Sequence, residues 1–205
     1  MSTTYFELED DVELKGRWFL DGLSDQTGAE LDARHFRYGV PVDLGAPLVV
    51  SSAREYRMID TIQPLRVSLS RAGQPLDFTF AAFDLPVVTT RVAMLLARIA
   101  GTDIQRIPVL VELNEQNYEI INLTSRIDCI DAERSEIMWW DNNNNIRPDL
   151  AGTPQMITKL VIDPTRIGSR HLFRIEGWQM VIIVSSVVKK AFEDARVSGV
   201  RFRQV

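Results

Sequence analysis

Apolar and polar positions along the chain repeat with two different periods. Period-two alternation marks strands: Leu65, Val67 and Leu69 share one parity in 65–70, and shorter β-like runs occupy 5–8 and 47–51. Further strands are predicted at 107–112, 159–163, 172–176, 179–184 and 200–205, with a hairpin at Gly177-Trp178 joining the third and fourth of these. In 118–129 both parities carry apolar groups. That run is expected as one long strand in the centre of a sheet. Helical spacing appears twice. Val92, Leu95, Leu96 and Ile99 share a face behind a cap at Thr89 or Thr90, with Gly101 as the stop, which predicts a helix over about 90–100. Val187, Val188, Ala191, Phe192 and Ala195 do the same behind Ser185 or Ser186, with Gly199 as the stop, which predicts a second over 186–198.

Between these elements lie an acidic turn at Glu9, Asp10, Asp11 and Glu13, a polar loop over 21–30, a turn at Gly73-Gln74-Pro75, and an asparagine-rich loop over 141–145. The fold class that follows is α+β, mostly antiparallel sheet with at least two packed helices. No repeat or linker divides the chain. One domain over 1–205 is expected, divisible into a β-rich lobe (1–85) and an α+β lobe (86–205).

Composition narrows the partners. The chain has 205 residues, 45% hydrophobic and 25% charged, which is enough to bury a core and argues against disorder. Its net charge of −5 disfavours nucleic acid and suits a basic protein. A single cysteine, Cys129, excludes an internal disulfide. The N-terminus has no basic segment leading into an apolar run, and no stretch reaches membrane-spanning length, so a cytoplasmic protein is expected. The Asn122-Leu123-Thr124 sequon is then a chance match.

Catalytic fingerprints are missing. His35 and His171 fit no zinc-ligand spacing, and neither a dinucleotide fingerprint nor a phosphate loop occurs, so no cofactor and no metal are expected. Ser186-Val187-Val188-Lys189 matches an SxxK nucleophile motif without its companion motifs, and reads as a helix cap with an exposed lysine. Cys129 lies in an apolar run, where a thiol is inert. Carboxylates around Asp128, Asp131 and Glu136 keep an acid–base enzyme open as an alternative, beside a general interaction module.

Two features point instead to binding. Glu7, Glu9, Asp10, Asp11 and Glu13 form the densest charge run, either a steering surface for a basic partner or a solubilising segment. Trp139 and Trp140 precede Asp141 and the asparagine tract; on a strand they would face opposite ways, leaving one of them as a candidate hot spot.

Short blocks spread over most of the chain carry a family resemblance. They are Tyr5-Phe6-Glu7-Leu8, Gly16-Arg17-Trp18, Pro75-Leu76-Asp77-Phe78 through Phe83-Asp84-Leu85-Pro86-Val87-Val88, and Ile104-Gln105-Arg106-Ile107-Pro108-Val109. They continue with Asn122 through Ile127-Asp128-Cys129-Ile130-Asp131 to Arg134-Ser135-Glu136, then His171-Leu172-Phe173-Arg174-Ile175 and Ser198-Gly199-Val200-Arg201-Phe202. Together they resemble immunity protein family 11 of bacterial polymorphic toxin systems. The resemblance implies a non-enzymatic protein that binds and neutralises a cognate toxin, often of the HNH nuclease type, encoded by the adjacent gene. It brings no catalytic residues. It implies structural roles for Asp77, Gln105, Arg106, Asp128, Ser135 and Glu136, and toxin contact in the less patterned segments. The expected toxin-binding residues are therefore Glu9, Asp10, Asp11, Glu13, Trp139, Trp140 and Asp141, with the 21–30 loop as a further candidate.

Overall fold

A computed structural model describes residues 3–42, 47–49, 56–58, 64–141 and 147–205. In chain order the first strands are β1 (Tyr5–Asp10), β2 (Phe19–Ser24), β3 (Glu30–Leu31), β4 (Pro47–Val49), β5 (Tyr56–Met58), β6 (Leu65–Arg71), β7 (Phe78–Ala81) and β8 (Leu85–Thr89). Helix α1 (Thr90–Ala100) follows, then β9 (Ile104–Val111), β10 (Tyr118–Leu123), β11 (Arg126–Ile127), β12 (Glu136–Trp139) and β13 (Pro154–Lys159). The chain closes with β14 (Leu172–Ile175), β15 (Trp178–Ser185), α2 (Ser186–Asp194) and β16 (Val200–Gln204).

Two sheets organise the described residues. One runs β11-β14-β15-β1-β16, the other β3-β2-β6-β9-β10-β8-β7; β4 with β5, and β12 with β13, form separate pairs. All pairings are antiparallel except β6 with β9 and β11 with β14. The seven-stranded sheet curls until β2 packs against β7 at its far edge, enclosing Trp18, Leu23, Phe36, Leu65, Val87, Val109 and Ile120. The α+β expectation holds.

Strand alternation sends side chains into different cores. In β10, Tyr118 and Ile120 join the core inside the curl, while Ile121 and Leu123 join a second core beneath the helices. In β15, Ile182 and Val184 enter that second core, and Ile183 enters a third with Cys129, Leu160, Ile162 and Phe173. Burial on both faces is why β10 carries apolar groups on both parities, and it is interior to its sheet as expected.

Helix α1 matches its predicted span, with Gly101 left-handed (φ 54°) at its end. Helix α2 is shorter than 186–198. The amides of Arg196 and Val197 return to the Glu193 and Phe192 carbonyls, with Arg196 at φ 50° in the left-handed position that usually ends a helix on glycine. Gly199 serves another need: a Cβ there would lie 2.2 Å from the Phe78 carbonyl oxygen. Ser185 caps α2, accepting from the Val187 amide, so Ser186 is not the cap. Lys189 bonds Glu193 and lies over the Phe6 and Phe202 rings.

Other predicted bounds shift for local reasons. The 118–129 run is not one strand. Thr124 is tied to Asp103 and Thr102 at the end of α1, and after it the chain crosses to the other sheet as β11. Half of the 21–30 loop is strand: β2 continues to Ser24 and β3 begins at Glu30, and between them the Asp25 carboxylate caps a tight turn by accepting from the amides of Thr27 and Ala29. Glu9 and Asp10 lie in β1 and not in a turn. The strand predicted at 159–163 is instead β13, which ends at Lys159; beyond it only Ile162 keeps a single bridge, to Ile130. Of the predicted 47–51 strand, 50–51 lie outside the described residues, as do 142–145 of the asparagine loop. Among the described residues no helix is long and apolar enough to cross a membrane.

Candidate functional site

The N-terminal acidic run is largely matched from within. Arg17 has a fully buried side chain and donates to both carboxylate oxygens of Asp10 at 2.6 and 2.8 Å, to the Asp11 carbonyl at 2.7 Å and to Thr79 at 2.6 Å. On β16, which pairs with β1, Arg203 bonds Glu7 and reaches Glu9 at 2.9 Å. Arg201 lies 3.2 Å from Glu13. Only Asp11 of the run has no ion-pair partner among the described residues. Burial raises the Glu7 carboxyl above its ordinary range; Arg203 opposes this and Glu9 adds to it.

A different set of acids converges elsewhere. A cavity of about 540 Å³ is lined by Asp128, Asp131, Glu133, Asp163 and Glu176, with Arg166 as the one lining cation among the described residues and Trp139 and Pro154 on its wall. These groups come from the segment after β11, the turn before β12, the turn after β13 and the β14–β15 hairpin. Main-chain bonds hold the first three together: the Asp131 amide donates to Val161, and the Asp163 amide to Cys129 at 2.7 Å. Local caps fix the carboxylates. Asp131 accepts from Arg134 at 2.5 Å and from the amides of Glu133 and Arg134. Asp163 accepts from the amide and hydroxyl of Thr165. The Arg134 guanidinium holds the Asp131 carboxyl below its usual range, and the Thr165 hydroxyl does the same for Asp163. Both therefore stay ionised. Arg166 is 3.4 Å from Asp163 and 3.9 Å from Asp128, and Arg126 is 3.1 Å from Glu176. Glu133 has no ion-pair partner among the described residues.

The wall of this cavity belongs to the β12–β13 hairpin, which the sequence reading did not anticipate. Ile157 leans on the third core. Met138 pairs across the strands with Met156, and both are exposed, as is Trp139 at 47%. A register shift between Met138 and Trp139 re-aims the tryptophan toward the acids. Trp140 is half-buried, exchanging main-chain bonds with Thr153 and Gly152. Asp141 is exposed at the end of the described segment. Thus Trp139 and the acids share a surface. Glu9, Asp10 and Glu13 are held by arginines elsewhere.

The other candidate residues have structural partners. Cys129 is fully buried beneath the cavity, and burial, reinforced by Asp128, pushes its thiol up to about 12. His171 meets Ser185 at 2.9 Å, and His35 stacks edge-on against Tyr38. Asp77 accepts from Ser198 and Arg91, Gln105 bridges Val42 and Asn122, Arg106 clasps Glu119, and Ser135 exchanges bonds with Val161. Glu136 accepts from Thr158 on the hairpin, away from Asp128 and Asp131. Among the described residues no group of three or more histidine, cysteine or carboxylate side chains is placed to hold a metal ion.

Comparison with curated proteins returns no match. A family model described as "Immunity protein family (Imm11)" matches residues 46–205. The blocks at Tyr5 to Leu8 and Gly16 to Trp18 fall outside that span; the cavity, the hairpin and both helices fall within it. Most of the chain is covered, and the chain belongs to the Imm11 immunity protein family.

Proposed function

We propose that this chain neutralises a cognate toxin, encoded by the adjacent gene, by stoichiometric occlusion, and that it acts by binding and not by catalysis. The observation that carries the contact surface is Trp139, exposed on the wall of a cavity lined by five carboxylates and one arginine. A half-exposed tryptophan can enter a pocket on a partner and contribute strongly once water is excluded. The surrounding negative potential attracts basic groups and speeds encounter. Toxins that act on nucleic acid present basic substrate grooves, so an HNH-type nuclease is the toxin class this charge suits. Met138 and Met156 extend the apolar contact with side chains that adapt to a partner's shape.

A carboxylate-based enzyme is the second reading, favoured by Asp128 and Asp131 lining one cavity. A general acid needs a carboxyl raised in pKa. Asp131 and Asp163 are shifted the opposite way.

Co-expression with the adjacent gene product tests the proposal. Rescue of growth together with a stable one-to-one complex is the expected result. Unchanged toxicity and no co-purification would discard it.

A further inference from the structure

Phe83 is the most exposed large apolar side chain among the described residues, at 94%. It lies in the turn joining β7 to β8, after Ala82 at φ 45° and itself at φ 79°. Turns with two successive left-handed residues favour glycine and asparagine; an aromatic residue there is disfavoured by its own backbone. The ring is also fully hydrated. Neither the local conformation nor the core of this chain gains from a phenylalanine at this position.

The turn is nevertheless held firmly. The Ala82 amide donates to the Asp21 carbonyl on β2 at 3.0 Å. The next residue, Asp84, is buried and accepts from Arg174 at 2.9 Å and from Arg37 at 2.8 Å, and Arg174 also donates to the Asp84 carbonyl at 2.8 Å. Arg174 is itself wholly buried. A buried cluster thus fixes the base of a strained turn and projects an aromatic ring into solvent. Such a ring loses little freedom on binding, having only two side-chain torsions and an immobile base.

Beside Phe83 lies a cavity of about 380 Å³, lined by Gly22, Leu23, Leu31 and Ala82 among others. Its rim carries Glu30, with Asp21 adjoining through the Ala82 contact, and neither has an ion-pair partner among the described residues. Arg34 is matched by Asp32, and Arg37 and Arg174 share Asp84, which leaves one positive charge against the two carboxylates of Asp21 and Glu30. The surplus charge around the ring is therefore negative. Leu113 shares the positive φ (56°) and the exposure, but its turn at the opposite end of β10 rests on main-chain bonds and the Asn114 side chain at the surface.

We infer that Phe83 is a second anchor for the toxin protein, inserting into an apolar pocket on that partner whose rim is basic. The inference rests on the toxin-binding reading, but it concerns a surface separate from the Trp139 cavity.

The test uses the full chain and the purified product of the adjacent gene. Phe83→Ala removes the ring and keeps most of the backbone strain; Phe83→Gly removes both. Both variants are expected to weaken binding by about tenfold or more, while Phe83→Gly melts at the same temperature as the parent or higher. Leu113→Gly relieves the same kind of strain and leaves affinity unchanged. Parental affinity in both Phe83 variants, with the parent complex intact, overturns this inference and spares the toxin reading. A loss of melting temperature in Phe83→Gly also overturns it, since the ring would then support the fold. No complex with the parent chain overturns both.

Discussion

Two acidic surfaces occur on this molecule, and they differ in what their charge does. The run from Glu7 to Glu13 is dense in sequence, yet in the fold it faces Arg17, Arg201 and Arg203. The cavity acids are scattered from Asp128 to Glu176, yet the fold gathers them beside an exposed tryptophan, where Arg126, Arg134 and Arg166 pair four of them and Glu133 has no ion-pair partner among the described residues. Each surface sets five acids against three arginines; the first ties β1 to β16, and the second places its acids around an exposed aromatic side chain. Density of charge along a chain is a poor guide to surface potential, because potential depends on neighbours in space.

Four substitution experiments sharpen or break this contrast, and the largest effect should come from Asp10. Asp10→Ala strands the buried Arg17 guanidinium, and a loss of about 3–5 kcal/mol in denaturant unfolding is expected. A neutral result would return Asp10 to the list of free surface acids. Next is Trp139→Ala, expected to weaken the toxin complex by about 2 kcal/mol while unfolding stability barely moves. Calorimetry of both quantities separates a contact from a fold support.

Charge reversal follows. Asp128→Lys with Glu133→Lys should slow association with a basic toxin by about tenfold at low salt and converge with the parent at high salt. The same reversal at Glu9 and Glu13 should change the rate much less. The smallest effect is Glu9→Gln, which loosens one exposed pair with Arg203 and should alter stability by less than about 1 kcal/mol.

Acid titration gives the contrast a sign. Asp131 and Asp163 are shifted down from 3.8, so the stability they contribute is present above that value and is lost only as the pH falls through their lower native values. Glu7 is shifted up from 4.5, so its contribution is fullest below 4.5 and is lost as the pH rises through its higher native value. Carboxyl resonances followed by NMR should show Glu7 protonating before Asp131 and Asp163 as the pH falls. The reverse order would remove the basis for the contrast.

Much of the fold was legible because local rules and tertiary demands agree. The α1 stripe, Gly101 as its stop, and the central position of β10 follow from spacing alone. The misses share a cause. The β12–β13 hairpin carries register shifts and polar exposed positions such as Gln155 and Thr158, so its apolar period is broken. The predicted end of α2 followed the nearest glycine, but Arg196 takes the left-handed position while Gly199 is needed against Phe78. The site was half legible. Trp139 stood out by type, and Asp128 and Asp131 appeared only as a rival catalytic reading; Glu133, Asp163 and Glu176 had no signal that set them apart from other acids.

The sequence by itself determined the elements with a clean period, the single buried thiol, the lack of known catalytic motifs and the likeness to Imm11, because each depends on residues close in the chain or on the pattern as a whole. Only the tertiary structure decided which charges are cancelled. Arg203 reaches Glu7 and Glu9 because the terminal strands pair, and Asp163 joins Asp131 because Ile130 bridges Ile162. Those encounters are set by strand register across long separations, which no local spacing encodes.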